Sequence, residues 1–206
     1  MDLENMKPNP KKNKDDKISF IKAATLYLHD IVYLLCAMIL VLLLVFRVVI
    51  VSGTSMNMTL LDGDYLLLLS NTFYRNPEQG DIIVVSKESF DDGAAFVKRV
   101  IATEGQTVDI DFREGIVYVD GEALQEPYTY TPTHMAEGME FPLVVKEGCL
   151  FLMGDNRGDS RDSRAPEIGL VDEREILGRA IFLAMPGTGR GEYTVDWDPG
   201  RIGGLN

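Results

Sequence analysis

Two patterns of apolar residues divide the chain. From Ile31 to Val51 they run unbroken for 21 positions with Arg47 as the single charge. From residue 52 onward they recur in short runs separated by turn residues. At about 1.5 Å per residue the first run, as a helix, spans roughly 31 Å, the thickness of a bilayer's hydrocarbon core. The stretch Y-L-L-C-A-M-I-L-V-L-L-L-V-F has no polar face, which argues against a core helix. It also exceeds the roughly 7–15 apolar residues of a cleaved leader, so 27–51 reads as an uncleaved transmembrane anchor. Six lysines before residue 30 place the preceding tail, 1–26, in the cytoplasm and everything after the anchor outside. Arg47 would then snorkel at the outer interface. Residues 1–17, with K-P-N-P-K-K-N-K, have too little apolar content to fold and read as a polar tail.

Beyond the anchor the runs are strand-like. They are Y-L-L-L-L (65–69), D-I-I-V-V (81–85), A-F-V-K-R-V-I-A (95–102), T-V-D-I-D-F (107–112), I-V-Y-V (116–119), L-V-V-K (143–146), C-L-F-L-M (149–153) and E-I-L-G-R-A-I-F-L-A-M (175–185). The fourth and fifth, joined by R-E-G, predict a hairpin. Four leucines at 66–69 predict a strand buried on both faces. No helix-period segment appears. The fold class expected is mostly β: an antiparallel, multi-sheet or barrel-like domain over 52–190 behind one N-terminal transmembrane helix. Region 105–148 forms a candidate cap, and the glycine-rich 191–206 a loose tail.

Composition sharpens this. The 206 residues carry a net charge of −12. Residues 1–30 hold +1 and the remainder −13, an acidic balance that speaks against nucleic acid, whose binders present a basic face. Cys36 lies inside the anchor and Cys149 outside it, so no bridge between them is expected.

The candidate chemistry lies in three segments: S-G-T-S-M-N-M-T-L (52–60), F-V-K-R-V-I-A (96–102) and G-D-N-R-G-D-S-R-D-S-R (154–164). A serine hydroxyl needs a base to become a nucleophile. His29 sits at the cytoplasmic edge of the anchor, and His134 lies in the loop T-Y-T-P-T-H-M-A-E-G-M, so neither suits a Ser-His-Asp triad. Lysine can replace histidine if it is neutral, which requires lowering its affinity for protons from about 10.4 to roughly 7–8, about 4 kcal/mol that burial can supply. Strand parity puts Phe96, Lys98 and Val100 on one face, so Lys98 has apolar flanks and few nearby carboxylates. The chain shows no His/Cys ligand cluster, so no metal or organic cofactor is expected.

These residues resemble bacterial type I signal peptidases. That family's nucleophile box, S-M-x-P-T-L, is met by S-M-N-M-T-L at 55–60. Its K-R-V box is met at 98–100, and its G-D-N-R-x-x-S-x-D-S-R box in full at 154–164. Weaker agreement includes G-D-I-I-V-V (80–85), the G-I-V-Y-V-D-G…E-P-Y run (115–128) and I-L-G-R-A-I-F (176–182). The resemblance implies Ser55 as nucleophile and Lys98 as general base. It implies Ser160 as the group that orients the Lys98 amine, Asp155, Asp162 and Arg164 as supports, and an Arg99–Asp155 ion pair. The backbone N–H of Ser55 would meet the oxyanion. Gly53 stands where some members carry a helping serine, leaving Thr54 and Ser52 as the nearby hydroxyls. Met58 replaces the box's proline, and Glu104 and Gln106 replace proline and aspartate in the turn after K-R-V.

The implied activity is a membrane-anchored serine endopeptidase that cuts signal peptides from exported preproteins at the outer face of the cytoplasmic membrane. Its partners would be those preproteins, with small residues at the third and first positions before the cut, and membrane lipid, close to the secretion translocon. A self-cleaving Ser–Lys repressor would need a DNA-binding domain and a cytoplasmic site. The alternative of another class is an inactive relative serving as a membrane-bound scaffold.

Overall fold

The computed structural model describes residues 10–205, in two compact units: the residues up to Leu44, and Val45 onward. The first is one helix, α1 (Pro10–Val45). It starts on a proline, whose fixed φ and missing N–H suit a first helical position. The polar segment read as a tail is therefore helical from Pro10, and its first nine residues lie outside the described ones. Within α1, Ala24–Val45 is long and apolar enough to cross a membrane, about 33 Å at the helical rise.

The helix stops six residues short of the expected end of the anchor. Residues Phe46–Ile50 form strand β1, pairing antiparallel with β2 (Tyr65–Ser70) from Phe46↔Leu69 to Ile50↔Tyr65. Hydropathy does not register this switch, because F-R-V-V-I is as apolar as the helix. The β-branched Val48, Val49 and Ile50 favour the strand. Arg47 accordingly lies on a strand, exposed, opposite Leu68.

The second unit contains two antiparallel sheets. The larger has the order β1-β2-β11-β3-β4-β9-β10, where β3 is Ile82–Ser86, β4 Ala95–Ala102, β9 Cys149–Met153, β10 Val171–Asp172 and β11 Ile176–Met185. The smaller has the order β7-β6-β5-β8, with β5 at Thr107–Asp111, β6 at Ile116–Val119, β7 at Glu122–Ala123 and β8 at Leu143–Val144. β5 and β6 form the expected hairpin. In β2, Leu66 and Leu68 are buried while Leu67 and Leu69 are only partly covered, so one face of that strand is fully enclosed, not both.

β9 joins the two sheets. Leu150 and Leu152 point into the core beneath β3 and β4, with Ile83, Val85 and Val100. Phe151 and Met153 point the other way, against Val108 and Val117 of the hairpin. The continuous apolar run C-L-F-L-M is thus explained by period-2 geometry with apolar partners on both sides. The G-D-N-R segment that follows leaves this rigid seam directly.

The turn after β4 departs from the family pattern but closes itself. Gln106 accepts from the Thr103 N–H (2.9 Å) and Glu104 from the Gly148 N–H (2.8 Å). The glycine-rich end is not loose either. Gly203–Gly204 forms β12 against β11, and Arg201 makes a two-pronged pair with buried Asp64 (2.9 and 2.6 Å). Asp64 also accepts from the N–H groups of Leu61 and Gly187, so one desolvated carboxylate ties the C-terminal segment to the loop after Ser55.

Candidate active site

Ser55 lies in the turn-rich loop between β1 and β2, and Lys98 on β4. The Lys98 Nζ is 2.7 Å from Ser55 Oγ and 3.1 Å from the Val97 carbonyl. Lys98 is only 3% exposed, and its amine lies 5.5 Å from the centre of the Phe96 ring on the same strand face. Burial lowers its proton affinity from 10.5 to about 8. Carboxylates oppose that shift: Asp162 first, then Glu137 and Asp155, while Arg164 works with burial. The expectation of few carboxylates near Lys98 therefore fails, because these three reach it from other parts of the fold. Their pull keeps the amine a strong enough base to be useful.

The supports form a nearly solvent-free charge network. Asp155 is held by Arg99 through two hydrogen bonds (2.9 and 2.7 Å) and accepts from Thr59 (2.5 Å). The expected Arg99–Asp155 pair is thus present. Asp162 is fully buried and accepts from Arg164 Nε and Nη2 (both 2.8 Å), from the Gly154 N–H (3.0 Å) and from Ser160 Oγ (2.9 Å). Burial would raise its proton affinity, yet the Arg164 hydrogen bonds and charge outweigh this and hold it below the usual carboxylate range.

Ser160 differs from its expected part. Its hydroxyl donates to Asp162 and is not among the hydrogen-bond partners of Lys98. A hydroxyl has one proton, and a desolvated anion is the stronger claimant for it.

The loop carrying Ser55 is fixed largely by the 154–164 segment. The Ser55 carbonyl accepts from the Asn156 N–H (3.0 Å), the Thr54 carbonyl from the Asn156 amide (3.1 Å), and Thr54 Oγ1 donates to Asp159 (2.6 Å). Among the described residues, the Ser55 N–H donates to no protein acceptor. Met58 is 51% exposed, so the residue in the proline's place contributes little to the core. His134 meets the Phe112 carbonyl (3.0 Å) in the smaller-sheet region, away from this constellation.

A cavity of about 80 Å³ opens beside Ser55, lined by Val49, Val51, Met56, Val84, Phe96 and Val97 among others. Its walls include parts of β1 and β4 whose outer backbone edges are unpaired among the described residues. β1 ends the sheet, and β4 meets β9 only from Arg99 onward.

The family model described as signal peptidase, peptidase S26, matches residues 24–185. The chain belongs to that family. It is 38% identical over 175 residues to the probable signal peptidase I-1 of Synechocystis sp. (80% of this chain, 85% of the relative). It is 33% identical over 164 residues to signal peptidase I of Bacillus licheniformis (74% and 86%). It is 32% identical over 186 residues to signal peptidase I T of Bacillus subtilis (85% and 94%). Membership of the S26 signal peptidases makes the chain an endopeptidase, and α1 fits a membrane-anchored protein.

Within this S26 fold the structure gives parts to residues to which motif reading assigned none. Gly154 is one: a Cβ there would collide with Ser160 Oγ and the Ser55 carbonyl oxygen. The absent side chain lets the two loops touch. Three more come from the segment between β7 and β8. Tyr128 stacks on the Arg99 guanidinium, 4.0 Å from the ring centre. Glu126 pairs with buried Arg157, which also donates to Thr133 (2.6 Å). Glu137 approaches Arg164 at 3.3 Å. Only Tyr128 and Glu126 had a signal in the sequence, the E-P-Y motif, and nothing in it pointed to arginines.

Proposed function

We propose that the protein removes signal peptides from exported preproteins through a Ser55–Lys98 dyad, anchored by α1 with its β unit on the outer side of the cytoplasmic membrane. The observation that carries this is the 2.7 Å approach of a buried lysine amine to Ser55 Oγ. Neutral Lys98 takes the hydroxyl proton as Oγ adds to the scissile carbonyl. The resulting ammonium then protonates the departing amine, which leaves an ester on Ser55. Lys98 next deprotonates the water that hydrolyses this ester and returns that proton to Ser55 Oγ as the acyl group leaves. The Ser55 N–H, without an acceptor among the described residues, is the donor for the oxyanion. Thr54 is an unsuitable second donor, since its hydroxyl is engaged by Asp159.

The substrate would lie extended between β1 and the Ala95–Lys98 stretch, taking up their unpaired backbone groups as an added strand. The small apolar cavity supports a preference for small residues just before the cut. Asp155, Asp162, Arg99 and Arg164 act as positioning residues, and Ser160 acts through Asp162. Lipid contact follows from the anchor, and proximity to the translocon from where exported chains emerge.

Full-length protein reconstituted in liposomes with a preprotein tests this directly. Wild type is expected to release mature protein, and Ser55→Ala and Lys98→Met to leave the preprotein intact. Equal cleavage by all three would overturn the dyad. Absence of cleavage by wild type would instead favour a scaffold role.

A further inference from the structure

Ser55 sits in a loop, 52–63, closed at its neck by two backbone hydrogen bonds: from the Val51 N–H to the Asp64 carbonyl (2.8 Å) and from the Gly63 N–H to the Val51 carbonyl (2.9 Å). Asn156 holds the tip of this loop, but the neck is held by another part of the chain. It is gripped by residues 187–201, a segment wholly beyond residue 185, where the family match ends. The Gly187 N–H donates to the Asp64 carboxylate (2.6 Å) and the Gly189 N–H to the Asp62 carbonyl (3.1 Å), while Arg190 lies 3.6 Å from the Asp62 carboxylate. A Cβ at Gly187 would collide with the backbone of Asp62, Gly63 and Asp64, so the close approach requires glycine. The Asp62 and Asp64 carboxylates in turn accept from the N–H groups of Gly53 (2.8 Å) and Leu61 (2.7 Å), inside the loop itself.

Arg201 completes the grip. Asp64 is fully buried and Arg201 largely so, and the guanidinium meets both carboxylate oxygens, at 2.9 and 2.6 Å. With the N–H groups of Leu61 and Gly187, each oxygen of Asp64 has two donors, and its charge is fully answered without water. A planar two-pronged pair fixes orientation as well as distance, which a point charge does not. On its far side the segment is secured by Gly203–Gly204 on β11 and by Leu205 against the core of Leu66 and Leu68. Arg201 therefore passes the position of a rigid sheet to the neck of the loop.

We propose that the C-terminal segment is a strap that positions the nucleophile, with Arg201 as its positioning residue: by fixing Asp64 it sets where the neck of the 52–63 loop stands, and so where Ser55 Oγ meets Lys98. The role rests on Ser55 being the nucleophile of signal-peptide cleavage. None of the residues lining the cavity beside Ser55 comes from 187–201, so the strap acts without contact to substrate there. Misplacing a reacting group by about 1 Å is enough to cost on the order of 100-fold in rate. Loosening the strap slows the chemistry and leaves substrate binding intact.

Two measurements on the full chain in detergent test it. One separates kcat from KM on a fluorogenic signal peptide, at a temperature where urea titration shows each variant to be folded. The other is amide hydrogen exchange, read by mass spectrometry on peptides covering 51–64 and, for comparison, 149–153. In Arg201→Met, kcat is expected to fall roughly 10- to 100-fold with KM within about twofold of wild type. The 51–64 amides are expected to exchange about tenfold faster or more, while those of 149–153 hold. Arg201→Lys, which keeps the charge but not the two-pronged fit, is expected to recover part of both effects. Should Arg201→Met fail to fold, Arg201→Gln, which retains one donor arm, takes its place with the same expectation. An uncharged variant that folds with kcat within about twofold of wild type, or with unmoved 51–64 exchange, would overturn the proposal, whatever its stability. Exchange needs no turnover, so a failure of the protease reading would show separately, as absent cleavage by wild type beside a loosened 51–64 in the variant.

Discussion

The loop that carries Ser55 and the segment 154–164 are fixed in opposite ways. The first holds the reacting hydroxyl but few of its own constraints: its Asn57 side chain is buried with no hydrogen-bond partner among the described residues, and Met58 faces solvent. The second buries Asp155, Arg157, Asp162 and Arg164, all linked by charge-assisted hydrogen bonds. Asn156 then reaches across to hold the carbonyls of Thr54 and Ser55. Placement of the nucleophile is therefore governed mainly by a segment that bears no reacting group. Such division suits a loop that must admit a peptide, because rigidity can be supplied from the side away from the substrate.

Variants can break this contrast in graded steps. Ser55→Ala and Lys98→Met should lower kcat by at least roughly 1,000-fold, with the fold retained by circular dichroism. Residual activity within tenfold of wild type would mean that the reacting groups lie elsewhere. Asp162→Asn leaves Arg164 without its main buried partner, and a loss of roughly 3–5 kcal/mol in urea unfolding is expected. A loss below 1 kcal/mol would show the network to be ornamental. Gly154→Ala forces the two loops apart, and should cost about 1–3 kcal/mol together with a fall in kcat larger than any rise in KM.

Lys98 itself separates activity from stability. Its proton affinity is lowered on folding, from 10.5 to about 8, so the unfolded chain binds the proton more tightly between those values. Stability from this group thus rises as pH climbs from about 8 toward 10.5, and the folded state bears the full cost below 8. Lys98→Met removes that cost and is expected to be more stable than wild type at neutral pH, by up to roughly 3 kcal/mol in urea unfolding. The wild-type rate should rise with a midpoint near pH 8; a profile already flat from pH 6 would contradict a titrating lysine. Smallest of all, Met58→Ala at an exposed position should change stability by less than about 0.5 kcal/mol.

Much of this site was legible in the chain. Eight strand runs were readable because period-2 alternation and turn residues are local signals, and the Ser55, Lys98 and 154–164 boxes stood in order. What escaped was non-local or masked. β1 hid inside the apolar run because helix and strand share its hydropathy. Glu137 meets Arg164 across 27 residues of chain, and Gly154 matters through a side chain it lacks. Asp64, holding Arg201 across 137 residues, turned an apparent loose end into part of the sheet.

The choice of cation in the supports has one more consequence. Arg99, Arg157 and Arg164 surround the centre as guanidinium groups, a side chain that does not give up its proton in proteins. With lysines there, several amines would exchange protons over the same range and blur which one was empty. With arginines, Lys98 is the single vacant seat among the buried cations of the described residues, and the proton leaving Ser55 has one destination.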